Sequence, residues 1–332
     1  MTTQRIQTKL ALGALLVPLF FVIGFSLSII GTYHKPHPNG ITIGVVAPPQ
    51  VQARLALAAP PAFVIRPAAT VAEAARAVRE RELKAAFVPS PDPRRPATVI
   101  VASAGGRLTA AAAEQFLRSV TTAQGGRLTV RDVRPLAPGD PIGIGVFMFM
   151  IISTIGGYLA VTVLATIAPT LEPRRRYAMI AGVAVLVPTI AYLIGGLAYG
   201  TYTGSFGTIL AFIGVGALYT FVIGLVTRLL QVLLGPPALF VSLAIFVFLN
   251  IPSLGATYTD TMLGGLWRFL NQFWLGAETV NAERSILYFG GQDVGTDLLR
   301  LLAWTAVVVA LLSLPVARKL GRPVLTRALR TA

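Results

Sequence analysis

The sequence predicts an α-helical polytopic membrane protein with six transmembrane helices, cytoplasmic N- and C-termini, and an extracytoplasmic α/β domain between helices 1 and 2. Three observations predict it. Of the 332 residues, 55% are apolar and only 12% charged, about half the charge of an average soluble chain; mean hydropathy is +0.72. Six apolar runs reach or approach the roughly 20 residues that a helix needs to cross a hydrocarbon core. Between the first and second runs the texture changes to short strand-like segments alternating with Ala-rich helical ones.

Residues 1–9 form a short cytoplasmic N-terminus carrying Arg5 and Lys9. The first span covers 10–30. Its apolar stretch exceeds the roughly 7–15 residues of a cleavable signal peptide, and no small-residue cleavage site follows, so it reads as a retained signal anchor. Residues 31–140 form the extracytoplasmic domain. Strands are expected at 41–46, 62–66, 84–88, 97–102 and 127–133, with helices at 51–58, 71–82 and 108–122; the order is βαβαββαβ. Gly105-Gly106 lacks the spacing of a phosphate-binding loop and reads as a strand–helix turn.

A five-helix membrane domain follows over 141–317, with spans at 142–168, 179–199, 206–226, 237–251 and 298–317. The second to fifth contain no charged residue or histidine in their cores, which argues against an ion-driven carrier. Gly156, Gly157 and Tyr158 in the second span are candidates for close helix packing. Between the last two spans, 253–297 is too polar to cross. Its aromatic stretch, with Trp267, Arg268, Phe273 and Trp274, reads as an interfacial or re-entrant segment, and Glu283 and Arg284 lead from it into the last span.

Basic residues set the orientation. Arg5, Lys9, Arg174, Arg175, Arg176, Arg228 and the basic tail 318–332 (Arg318, Lys319, Arg322, Arg327, Arg330) share one side if six spans alternate. That side is the cytoplasm. The net charge of +15 is thereby accounted for by membrane flanks and the surface of one domain, so the partner expected is the lipid bilayer and not nucleic acid. Glu172 with Arg174, Arg175 and Arg176 forms a candidate loop for coupling to a cytoplasmic partner.

No catalytic constellation is present in the sequence. None of Lys9, Lys35, Lys84 or Lys319 sits in a Gly-Lys-Ser/Thr motif, so the chain has no P-loop of its own. There is no cysteine, and the two histidines, His34 and His37, lie on a Pro-broken linker that makes a poor metal site. No enzyme, no metal and no cofactor are expected; ATP would enter only through a partner.

The order of parts resembles the type-2 ABC transporter permease superfamily, and within it the YhgE/Pip branch of phage infection proteins and their nitrosoguanidine-resistance-like relatives. The resemblance rests on Asp140-Pro-Ile-Gly with Gly156-Gly157-Tyr158-Leu159, on the segment from Phe273-Trp274 to Phe289-Gly290-Gly291, and on Lys84-Ala-Ala-Phe-Val-Pro. It implies an exporter subunit in a bacterial plasma membrane, a homodimer or heterodimer, passing amphipathic or hydrophobic substrates outward with a separate ATPase. The competing reading is a non-transporting receptor or accessory protein whose outer domain binds an envelope partner or a phage.

Overall fold

The computed structural model describes residues 2–92, 94–235 and 237–314, with only the backbone described for 2–12 and 14. The basic tail 318–332 therefore lies outside the described residues. Five of the described helices are long and apolar enough to cross a membrane, the make-up of a multi-pass helical membrane protein.

The first, α1, runs from Thr2 to Phe25 and continues through a π-helical turn, Ser26–Ile30, to Tyr33. It extends beyond both ends of the expected span because Arg5, Lys9 and the Gly31–Tyr33 turn keep helical geometry without belonging to the apolar core. Its apolar stretch, Leu15–Tyr33, is mostly exposed, the surface expected of a helix largely surrounded by lipid, and Phe20 and Phe21 pack on Phe248 further along the chain.

The α/β domain follows in the expected order. It comprises β1 (Ile41–Val45), α2 (Pro49–Ala58), β2 (Phe63–Pro67), α3 (Val71–Arg79), β3 (Ala85–Val88), β4 (Ala97–Val101), α4 (Arg107–Ala123) and β5 (Leu128–Asp132). The sheet order is β2-β1-β3-β4-β5. Each β-α-β unit gives a parallel pair, β1 with β2 and β4 with β5, while β3 and β4 are antiparallel. Alternation along the strands sorts the core: Ile41, Ile43, Val45, Val99 and Val101 face Leu55 of α2 and Leu117 of α4. Ala86 and Ile100 face Ala74 and Val78 of α3. Thr70 caps the start of α3: Glu73 N–H donates to Thr70 Oγ1 at 3.1 Å, and the Glu73 carboxylate accepts from Ala69 N–H, just before the cap, at 3.1 Å.

The remaining helices form a bundle: α5 (Gly145–Ile167), α6 (Pro173–Tyr192, continuing to Ala198), α7 (Phe206–Leu234), α8 (Ala238–Ser253), α9 (Gly265–Asn271), α10 (Leu275–Tyr288) and α11 (Val294–Ser313). Of the five long helices the most buried is α7, which packs against α5, α6, α10 and α11. Asp140, in the Asp-Pro-Ile-Gly stretch, starts α5: its carboxylate accepts from the N–H groups of Ile144 and Gly145, each at 2.9 Å. Satisfying those free donors is what an acidic cap does. Gly157 lets α5 approach α7, since a Cβ there would lie 3.0 Å from the Thr220 carbonyl and from Ile223, and Gly156 faces Val187 of α6. Tyr158 is half-buried beside the same contacts.

The short fifth run and the polar segment after it take particular forms. The expected fifth span is α8, which at about 1.5 Å per residue is roughly 24 Å long and falls short of a ~30 Å core. It is the one shorter apolar helix among those described. Within 253–297 the aromatic stretch makes only the seven-residue α9, and the buried helix is the one after it, α10.

Candidate functional site

With fourteen residues, α10 is about 21 Å long, too short to cross, yet ten of those residues are buried. Leu275, Val280 and Ala282 pack into the main bundle cluster with Val146, Tyr219 and Leu301. Gly276 permits the close approach of Asn250 of α8 and of Leu254 just past its end. The same helix carries Glu278, Glu283 and Arg284, all buried, so its polar groups need partners inside the fold.

Glu278 and Arg284 find them beside a cleft of about 570 Å³ between the bundle and the α/β domain, lined by Arg81, Lys84, Asp260, Asn281, Asp297 and Arg300 among others. Arg300 donates to both carboxylate oxygens of Glu278, at 2.8 and 2.9 Å. Arg284 donates to the carbonyls of Gly255, at 2.8 Å, and Ala256. Burial, with Arg81 nearby, lowers its guanidinium to about 10. Lys84 reaches Asp260 at 3.3 Å. Arg81 holds a left-handed backbone at φ +65°, a conformation that costs a non-Gly residue about 1 kcal/mol. Its guanidinium stacks 5.0 Å over the Phe289 ring and donates to the Gln292 carbonyl at 3.3 Å.

The cleft's edge is locked by contacts across the two units. Thr109 of α4 shares hydrogen bonds with Thr259 and Thr261, at 2.6 and 3.1 Å. A side chain on Gly106 would strike Thr259, so Gly105-Gly106 is more than a turn: it is where the chain after α8 meets the domain. Asn39 N–H donates to the Thr261 carbonyl at 2.9 Å.

Glu283 faces the opposite way, into the bundle. Both its oxygens lack a partner among the described residues, as do Ser153 Oγ and Asn250 Oδ1. Burial pushes its carboxyl well above the ordinary value, with Arg284 opposing. Close by, Tyr219 links Thr154, at 2.6 Å, to the Asn250 amide, at 2.8 Å. Tyr202 donates to the Gly145 carbonyl at 2.9 Å, and its own hydroxyl is raised by burial first and Glu283 second.

No family model, curated protein or solved structure matches the chain.

The residues singled out by sequence part company. Glu283 and Arg284 are adjacent but do not pair, since neighbours on a helix point about 100° apart. Arg268 is tied down, donating to the carbonyls of Asp260 and Leu263 at 3.1 and 2.8 Å. Trp267 is half-buried, Phe273 is exposed beside the exposed Phe269, and Trp274 packs against the bundle cluster. In the candidate coupling loop, Glu172, Arg174 and Arg175 are exposed. Arg176 is not available: it is buried and donates to the Ala168 and Pro169 carbonyls, closing the end of α5. The sequence reading missed Glu278, Arg300, Tyr219 and Asn250. Arg300 carried a usable signal, because an arginine within an apolar span is costly and calls for a partner. Among the described residues no group of three His, Asp or Glu side chains is placed to hold a metal ion.

Proposed function

We propose that the chain is the membrane subunit of a type-2 ABC permease-like exporter in a bacterial plasma membrane, passing an amphipathic or hydrophobic substrate outward with energy from a separate ATPase. The carrying observation is α10, a short, buried, charged helix at the floor of a polar cleft and against the core of an apolar bundle. Half-length helices inside a bundle commonly line a translocation path, because irregular polar backbone survives there only beside protein or a cavity.

In this reading α8 is the fifth of six crossings and 253–297 is a re-entrant segment under an extracytoplasmic domain. Two features support that arrangement. The domain contacts the chain around Thr259, Thr261 and Phe289, beyond α8. Arg176 and Arg228 line one cavity by the far end of α5, where the positive-inside rule wants basic residues. The chain works as a homodimer or heterodimer, and Arg174 and Arg175 offer charge to the ATPase.

A mild-detergent pull-down of the tagged protein from its native membrane, read by mass spectrometry, tests this. Near-equal recovery of a nucleotide-binding subunit is expected. Recovery of the protein alone, or with envelope proteins only, would favour the receptor or accessory role.

A further inference from the structure

At the end of the bundle remote from the α/β domain lies a second cavity, of about 410 Å³, within the size range of small-molecule sites. The end of α5 contributes Thr162, Ala165 and Thr166, the start of α6 Arg176, the end of α7 Arg228 and Gln231, and α8 Ala238, Leu239 and Ser242. The cavity contains two guanidiniums and no carboxylate. Both line the same cavity from neighbouring helices. Like charges held together between helices, in a region of low dielectric, need a counter-charge.

Three buried polar atoms in the same cavity lack a partner among the described residues: Arg176 Nε, Gln231 Oε1 and Ser242 Oγ. Arg176 and Ser242 are 7% and 1% exposed, so bulk water does not serve them freely. Arg176 uses Nη2 on the Ala168 and Pro169 carbonyls just past α5, which leaves Nε without a partner among the described residues. Gln231 is held by its amide nitrogen on the Val161 carbonyl at 3.3 Å, which presents its oxygen as an acceptor. The vacant set is thus cationic donors for an anion, a hydroxyl that serves either way, and an amide oxygen that wants a donor. Ala165, Ala238 and Leu239 form an apolar wall.

We propose that this cavity binds the headgroup of an anionic phospholipid, with the phosphodiester against Arg176 and Arg228 and a headgroup hydroxyl on Gln231 and Ser242. Basic pockets between membrane helices take such headgroups, since the acyl chains remain in the bilayer while the phosphate meets fixed charge. The site stands apart from α10 and its cleft, and does not depend on whether the chain moves a substrate.

Native mass spectrometry of the full-length protein in detergent provides the test, with dioleoyl phosphatidylglycerol, dioleoyl phosphatidylcholine and inorganic phosphate as separate probes. Phosphatidylglycerol should be retained where phosphatidylcholine is lost. Arg228→Gln should weaken its retention about tenfold, the loss expected for one charge-assisted contact. Leu239→Trp, which fills the cavity without touching a charge, should do the same, so that one variant's misfolding, seen by size exclusion, leaves the other to decide. Equal retention of the two lipids, or wild-type retention in a folded variant, would overturn the proposal. Retention of inorganic phosphate to the same degree as the lipid would overturn the lipid assignment and make the cavity a free-anion site.

Discussion

A single guanidinium nitrogen of Arg300 lies 2.8 and 2.9 Å from the two carboxylate oxygens of Glu278, tying α11 to α10 at the edge of the interdomain cleft. Glu278 is 1% exposed, whereas the Arg300 side chain is 55% exposed, so the two partners do not share the cost of separation equally. Removing the arginine strands a buried charge. Arg300→Met should lower stability by about 2 kcal/mol, and the Glu278→Gln/Arg300→Met double variant should be less destabilised than the sum of the singles. Thermal unfolding in detergent measures both; strict additivity would mean the pair contributes nothing.

Glu283 predicts a pH dependence. Its carboxyl in the fold stands well above the ordinary value of 4.5. The raised group contributes stability fully present below the unfolded value, and lost as pH rises through the folded one. Wild type should therefore lose unfolding temperature as pH rises above about 5 relative to Glu283→Gln, which has no such proton to release. A constant gap between the two curves would show that Glu283 does not titrate differently in the fold.

The coupling loop divides into two functions. Arg174→Glu with Arg175→Glu, both exposed, should weaken association with an ATPase subunit while leaving the fold intact. Arg176→Ala should instead destabilise the turn by about 1–3 kcal/mol, since the Ala168 and Pro169 carbonyls lose their donor. Co-purification and melting temperature read the two effects separately. Unchanged co-purification in the double reversal would remove the loop from the coupling mechanism.

Trp267→Ala with Trp274→Ala should impair transport while the α/β domain stays folded, because neither residue belongs to that domain's core. Efflux of a hydrophobic dye from vesicles, together with protease resistance of the domain, is the measurement. Full activity in the double variant would reduce the aromatic stretch to an anchor.

Two glycines should respond in opposite directions. Gly157→Leu forces α5 from α7, where the Thr220 carbonyl lies 3.0 Å from a Cβ, and should cost about 1–3 kcal/mol. Gly182, within α6, faces open space, and Gly182→Ala should gain about 0.5–1 kcal/mol. Equal effects would mean that helix propensity, and not packing, governs both sites.

What the sequence made legible follows from how local the cause is. Alternation of Ile41, Ile43 and Val45 is a period-2 signal contained in five residues, and the strand lies there. Gly156-Gly157 marks close helix packing through composition alone, and both glycines meet neighbouring helices. By contrast, α10 reads as a polar connection because its charges are answered from elsewhere: Glu278 by Arg300 and Arg284 by the carbonyls of Gly255 and Ala256. Hydropathy counts each charge as exposed and cannot register a distant partner. Arg176 differs from its exposed neighbours for a local reason that composition does not register: its guanidinium turns back onto the Ala168 and Pro169 carbonyls.

Phe289 sits in the core formed by α3 and the sheet, and Met262 in the core on the sheet's other face. Both are encoded long after β5 ends at Asp132. During synthesis the domain is thus assembled with a hole on each side, and its last two core residues arrive only after the central bundle helices have been made. A nascent chain halted before Met262 should carry the α/β unit in a loosened, protease-sensitive form. The arrival of Phe289, and not the end of β5, is what completes the domain's buried core.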